Sequence, residues 1–452
     1  MRIILILVTL LVLSISIFSQ DITGQWNGVL EVPGQKIPFV FNIEKTETRY
    51  KSTLNIQSQG VKGLPVTATT YESTKLKMTM ADLGAEFSGE LSADDKIVGA
   101  LSQGGRSFPL TLSRGGIAPP KRPQEPKPPY PYYSEDVKFD NPSAKITLAG
   151  TLTLPKKDGV FPVVVLITGS GPQNRNEELL GHKPFLVLSD YLTRNGIGVL
   201  RYDDRGIGES GGIFSTSTTQ DFAADVRSAV DYLKTRKDVK KNKIGLIGHS
   251  EGGIIAPMVA ANSKDIAFIV LLAGTGVPGD QILLLQKELI ERASGASESD
   301  IQSGQKLNKG AFVIIKTTAN PSEIEGKLST YYKQNQVPDK DASAMTKQLS
   351  AVWMQFFITY DPSPILKKVK CPVLAMNGEN DLQVPAKVNL DAIKQNLEKA
   401  GNKKVTIRLF PKLNHLFQES EIGSPSEYEK IEQTFSAAAL KEVTDWIIQQ
   451  IK

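Results

Sequence analysis

A neutral serine hydroxyl is a poor nucleophile, so a chain that uses one must also supply a base and a group that holds the base. The run Lys243-Ile244-Gly245-Leu246-Ile247-Gly248-His249-Ser250-Glu251-Gly252-Gly253 offers the first of these. It begins as an apolar strand pattern and ends in Gly-x-Ser-x-Gly, the pattern of a sharp strand-to-helix turn that lifts a serine clear of a sheet. Gly248 and Gly252 stand where any side chain would crowd so tight a backbone. The same turn aims the Glu251 N–H, at a positive helix start, towards a developing oxyanion. Five letters alone are weak evidence, and the reading depends on finding the partners.

The chain holds three histidines. His249 is built into the turn beside Ser250 and cannot readily swing round to the neighbouring hydroxyl. His182 precedes the serine, on the loop after an apolar strand at Val163–Thr168. His415 follows the last strand pattern, in Phe410-Pro411-Lys412-Leu413-Asn414-His415-Leu416-Phe417, where a loop at the carboxyl edge of a sheet places it over the turn. His415 is therefore the expected base, with His182 as the fallback. The carboxylate should come from a loop after a strand between the two, in the order Ser, Asp, His. Asp381 fits, since Pro372–Met376 reads as a strand and the intervening glycine allows a turn. Glu379 is the reserve, and Asp361 is the weaker alternative.

These residues need a frame. Strand and helix patterns alternate after about residue 132: strands at Ile146–Leu154, Val163–Thr168, Gly198–Tyr202, Ile244–Ile247, Phe268–Leu272, Pro372–Met376 and Val405–Phe410. Between them lie helices at Pro184–Thr193, Asp221–Lys234, from Glu251, and Ala386–Ala400, with a closing helix from about Ser426 to Lys452. This alternation predicts a mostly parallel sheet with helices on both faces. Between about 280 and 360 it gives way to helical stretches such as Gln281–Ala293 and Ala342–Phe357, which fits a lid inserted over the carboxyl edge. Residues 20–115 alternate with period two and carry no helical stretch, which predicts a small antiparallel β domain. Its opening Gly24-Gln25-Trp26-Asn27-Gly28 resembles the start of lipocalin-like barrels. A structural appendage whose Trp26 closes a barrel end is the preferred reading; contact with a ligand or an envelope component is the functional one. Seven prolines between Pro119 and Pro131 make residues 116–131 a semi-rigid spacer.

Composition narrows the class. The net charge of +5 over 452 residues is dispersed rather than gathered in Lys/Arg blocks, which argues against nucleic acid. Arg2, the apolar run Ile3–Leu13 and the serines that follow read as a signal peptide over residues 1–19, removed on export, leaving no membrane span. Cys371, the single cysteine, cannot form an internal disulfide.

Ser250, Asp381 and His415, in this order within this alternation, resemble the α/β-hydrolase superfamily. Gly248–Gly253, the segment Arg201-Tyr202-Asp203-Asp204-Arg205-Gly206-Ile207-Gly208-Glu209-Ser210 and Asn414-His415 are most similar to its serine aminopeptidase-like and carboxylesterase branch, over roughly residues 134–452. The resemblance implies a second oxyanion donor from Thr168-Gly169-Ser170-Gly171-Pro172, carried here to the Ser170 N–H, with threonine where the family usually has histidine. An ion pair between Asp204 and Arg205 is expected to shape a turn. The expected function is an exported or periplasmic serine hydrolase that cleaves a small-molecule carboxylic ester through an acyl-enzyme, with no metal or organic cofactor. Aminopeptidase and thioesterase activities use the same triad, and an envelope-binding protein on a non-catalytic scaffold is the alternative of another class.

Overall fold

A computed structural model describes residues 21–32, 35–47, 49–56, 61–115 and 121–452. The expected signal peptide and the first residues of the proline-rich stretch lie outside these. The chain divides into two compact units, Met1–Pro119 and Pro120–Lys452.

The first unit is an antiparallel half-barrel of nine strands: β1 (Gly24–Val32), β2 (Gln35–Lys45), β3 (Tyr50–Ile56), β4 (Val61–Pro65), β5 (Ala68–Glu72), β6 (Lys75–Met80), β7 (Ala85–Leu91), β8 (Lys96–Gln103) and β9 (Arg106–Arg114). Their order is β4-β3-β2-β1-β9-β8-β7-β6-β5. Alternation decides which face is inside: Leu76, Met78 and Met80 of β6 are buried, whereas Lys75 and Lys77 point out. The interior holds Trp26, Phe41, Leu54, Met78 and Phe87, all fully buried. Trp26 donates its indole N–H to the Ile22 carbonyl at 2.8 Å, and the Arg114 guanidinium lies 4.5 Å from its ring centre.

The second unit is built on eight strands: β10 (Tyr133–Asn141), β11 (Ile146–Leu154), β12 (Phe161–Ile167), β13 (Gly198–Tyr202), β14 (Val239–His249), β15 (Ile266–Leu272), β16 (Val373–Gly378) and β17 (Val405–Phe410). Their order is β10-β11-β13-β12-β14-β15-β16-β17. β10 and β11 pair antiparallel, β11 runs antiparallel to β13, and the other neighbours are parallel. The central strands are apolar on both faces because helices cover both. On one face lie α2 (Thr219–Thr235), α3 (Gly252–Ala261) and α10 (Ala386–Lys399), packed through residues such as Val226, Ile255 and Ile393. On the other lie α1 (Pro184–Arg194) and α11 (Ala437–Ile451), packed through Leu188, Leu192, Val443 and Ile447. At the start of α2, Asp221 Oδ2 accepts the Thr218 N–H at 2.8 Å and the Thr218 hydroxyl at 2.7 Å, which satisfies the N-cap donor.

Six helices are inserted between β15 and β16: α4 (Gly279–Ala293), α5 (Glu298–Thr317), α6 (Ile324–Gln334), α7 (Asp339–Leu349), α8 (Val352–Thr359) and the short α9 (Ser363–Leu366). They form the expected helical insertion and have a core of their own around Ala311, Phe312, Leu328 and Tyr332. The single helix expected over Ala342–Phe357 is two, because Ala351 takes an extended backbone (φ −62°, ψ 137°) between them. The closing helix is also shorter than expected. Ser424 caps a 3-10 turn at Pro425–Glu427, and α11 begins only at Ala437.

The described part of the proline-rich stretch is not a free spacer. Arg122 donates to the carbonyls of Ile431 (2.8 Å), Glu429 (2.9 Å) and Leu180 (3.1 Å). The Gln124 side-chain oxygen accepts the Thr434 N–H at 2.6 Å and the Phe435 N–H at 3.0 Å. Two polar side chains among the prolines thus fasten this segment to the second unit, which polyproline character alone did not suggest.

Candidate active site

Four loops leave the carboxyl ends of β12, β14, β16 and β17, and parallel pairing places those ends on one edge of the sheet. The loop after β14 is the sharp turn. Ser250 has φ +53°, a left-handed conformation that costs a non-glycine residue energy and persists only where its surroundings impose it. The Ser250 N–H donates to Leu272 O and the Gly253 N–H to Ser250 O, both at 2.9 Å. Neighbouring backbone dictates the glycines. A Cβ on Gly248 would lie 1.9 Å from Gly252 O, and one on Gly252 would lie 2.2 Å from Ile167 O.

Asp381 and His415 meet. The His415 Nδ1 lies 2.8 Å from Asp381 Oδ2, and the other carboxylate oxygen accepts the N–H groups of Gln383 and Val384 at 2.8 Å each. Three donors hold the carboxylate, and an acceptor at Nδ1 puts the ring proton there, leaving Nε2 free to take a proton. The His415 loop has its own scaffold: Asn414 Oδ1 accepts the N–H groups of Leu416 and Gln418, each at 3.0 Å, and Phe417 turns with φ +59°. The loop is also stitched to the one carrying Asp381, through Asn380 N–H to Leu413 O at 2.9 Å. The His415 ring packs 4.8 Å from the ring of His249, centre to centre, which brings it to the turn that carries Ser250.

The alternatives go elsewhere. Glu379 is exposed. Asp361 accepts from the backbone and hydroxyl of Ser363. His182 is fully buried between Thr434 Oγ1 (3.0 Å) and the Tyr428 carbonyl (2.8 Å), and burial pushes it down to about 4, so it is a neutral structural residue.

The loop after β12 carries Thr168–Pro172. Gly169 lies against the turn, since a Cβ there would be 3.3 Å from Ser250 Cβ. Its N–H is occupied by Glu177 Oε1 at 2.6 Å. Neither the Ser170 nor the Glu251 N–H donates to an acceptor among the described residues.

The expected Asp204–Arg205 pair does not form. Arg205 makes a two-point contact with the buried Asp225, at 2.7 and 2.8 Å, because its side chain runs towards α2. Asp204 instead accepts the Thr168 hydroxyl at 2.8 Å and the Gln173 N–H at 3.0 Å. Burial pushes the Asp204 carboxyl up to about 8. Arg175 pairs with Asp203 through Nη2 at 2.7 Å.

Several residues around the site were not legible in the sequence. The Glu251 side chain is buried and accepts the Thr219 hydroxyl at 2.6 Å and the Trp353 indole N–H at 2.7 Å. It thereby links the turn to α2 and to α8 of the insertion, and burial pushes its carboxyl up to about 7. Glu177 and His249 form a buried pair 2.9 Å apart. The polar run Asn174-Arg175-Asn176-Glu177, directly after a glycine-rich loop, was the available signal for the second of these.

A family model described as serine aminopeptidase S33 matches residues 184–421. Esterase EstD of Thermotoga maritima is 27% identical over 427 residues, covering 91% of this chain and 94% of that protein. Among solved structures, an esterase of Pyrococcus furiosus, Pf2001, superposes with a TM-score of 0.46 at 16% identity, over 75% of this chain and 100% of its own. Est1E of Butyrivibrio proteoclasticus, solved with ferulic acid, gives 0.42 at 18% identity, over 70% and 99%. The family match spans more than half of the chain and includes the turn, the insertion and the loops of Asp381 and His415, so the protein belongs to the serine aminopeptidase S33 family of α/β hydrolases.

Proposed function

We propose that this protein is an exported serine hydrolase that cleaves carboxylic esters through a Ser250 acyl-enzyme. The observation that carries the reading is the Asp381–His415 bond of 2.8 Å, with the His415 ring 4.8 Å from that of His249, the residue before Ser250, which holds a left-handed backbone. In this reading His415 Nε2 takes the hydroxyl proton as Ser250 Oγ attacks the ester carbonyl. The alcohol leaves with that proton, and water then repeats the sequence in reverse to release the acid. The N–H groups of Glu251 and Ser170 receive the oxyanion; occupation of the Gly169 N–H by Glu177 favours Ser170 as the donor from its loop. The name of the EstD relative supports an ester over an amide or thioester. The apolar run at Ile3–Leu13 supports export.

Purified protein is offered an aryl ester, the matching thioester and an aminoacyl arylamide in parallel. Ester turnover well above the other two is expected. Arylamide turnover above ester turnover overturns the substrate class, and no turnover of any overturns the hydrolase mechanism. Fractionation of expressing cells tests export, which fails if the chain stays in the cytosol at full length.

A further inference from the structure

His249 sits immediately before the nucleophile and takes no part in the proton transfer described above, yet it is nearly inaccessible and doubly bonded. Its Nδ1 lies 2.9 Å from Glu177 Oε1 and its Nε2 lies 3.0 Å from the His415 carbonyl oxygen. The His415 carbonyl cannot donate, so Nε2 must carry a hydrogen. The same Glu177 oxygen already accepts the Gly169 N–H at 2.6 Å, which marks it as the carboxylate's acceptor oxygen. A neutral imidazole satisfies two acceptors with one N–H only if the carboxyl itself is protonated; an imidazolium satisfies both.

We propose that His249 is an imidazolium at neutral pH and acts as a positioning residue, cancelling the Glu177 carboxylate beside the oxyanion site and clamping the oxyanion loop to the loop that carries His415. The proposal rests on the Ser250 reading for its kinetic consequence and not for the charge state itself. Charge placement gives the reason. Glu177 Oε1 accepts the Gly169 N–H, and a Cβ on Gly169 would lie 3.3 Å from both that oxygen and Ser250 Cβ, so the carboxylate stands on the loop beside the nucleophile, near where the tetrahedral intermediate gathers negative charge. Alone it would raise the barrier; paired with a cation it becomes a fixed strut. Glu177 itself holds φ +51°, so its loop is bent to bring the carboxylate there. Burial works against a charge on His249, but the Glu177 carboxylate, the His415 carbonyl and the more distant Asp381 outweigh it and raise the imidazole above its ordinary value. The groups that face this ring are Glu177, His415 and Asp381, and Asp204 faces Glu177 from the neighbouring loop.

The chain's three histidines make the test direct. Full-length protein labelled with nitrogen-15 at histidine is examined by long-range proton–nitrogen correlation at about pH 7.5, where an ordinary imidazole is mostly neutral. One histidine should show both nitrogens at imidazolium positions, and its signals should vanish in His249→Gln. If all three are neutral, or the charged one is not His249, the proposal fails. The rate of covalent labelling of Ser250 by a fluorophosphonate supplies the kinetic arm. His249→Gln, which strands the carboxylate, should label about tenfold more slowly or worse, and His249→Gln with Glu177→Gln should recover about tenfold over the single variant. A double variant as slow as the single one contradicts charge cancellation. Wild-type protein that no probe labels sinks the serine-hydrolase reading instead, and the spectrum still decides the charge of His249.

Discussion

Replacing Glu251 by glutamine should make the protein more stable at alkaline pH, although it removes a side chain next to the nucleophile. The Glu251 carboxyl is buried, and one of its oxygens accepts both the Thr219 hydroxyl and the Trp353 indole N–H. A glutamine Oε1 can accept the same two bonds. Burial raises the carboxyl from an ordinary 4.5 to about 7. The sign follows from which state holds the proton. Below pH 4.5 both states are protonated and the group contributes nothing. Between 4.5 and about 7 the unfolded chain ionises while the folded one keeps its proton, so stability falls as pH rises; above about 7 the whole cost of burying the charge is present. That cost is about 3 kcal/mol. Urea unfolding of the full chain, followed by tryptophan fluorescence from about pH 5 to about pH 8, should show Glu251→Gln within about 1 kcal/mol of wild type at the acid end and up to about 3 kcal/mol above it at the alkaline end. Parallel pH curves for the two proteins would refute the reasoning, because they would mean that Glu251 has the same proton affinity folded and unfolded.

Asp381→Asn should reduce ester turnover on the order of ten-thousandfold with little change in the thermal midpoint, since it removes the acceptor that fixes the His415 tautomer; steady-state kinetics beside a melt measures both. Gly252→Ala should cost more than about 3 kcal/mol or yield no soluble protein, because its Cβ would fall 2.2 Å from Ile167 O, and a normal urea midpoint would contradict the close approach of β12 to the turn. A chain starting at Lys121 should keep the turnover of the second unit on a small ester, whereas one starting at Tyr132 loses the Arg122 and Gln124 bonds and about 2–4 kcal/mol of stability. Equal midpoints for the two truncations would show that those bonds contribute nothing.

What the sequence made legible follows from period and order. Ile146–Leu154, Gly198–Tyr202 and Val405–Phe410 stand at their expected boundaries because apolar runs between turn residues leave little choice of register. The pairing of Asp381 with His415 was readable for a similar reason: chain order and loops at one sheet edge leave few candidates. The β10 strand, by contrast, is a polar edge strand that alternates Val137 and Phe139 with charged residues, and no strand was expected there. The side chains that tie the site together were hidden because their partners lie far away in sequence. Glu177 meets His249 across 72 residues and Trp353 meets Glu251 across 102, and no local pattern encodes such a contact. The Asp204–Arg205 expectation failed for the same reason, since Asp225 and Thr168 offered better geometry than the adjacent residue did.

The central claim is that Ser250 is the nucleophile and that Asp381 and His415 activate it. Folded full-length protein is treated with a fluorophosphonate, digested, and the modified peptide identified by mass spectrometry, with Ser250→Ala and His415→Gln treated alongside. A single adduct on the peptide containing Ser250, absent in Ser250→Ala and formed orders of magnitude more slowly in His415→Gln, is the predicted result. An adduct on another residue, or equal labelling in His415→Gln, would contradict the account.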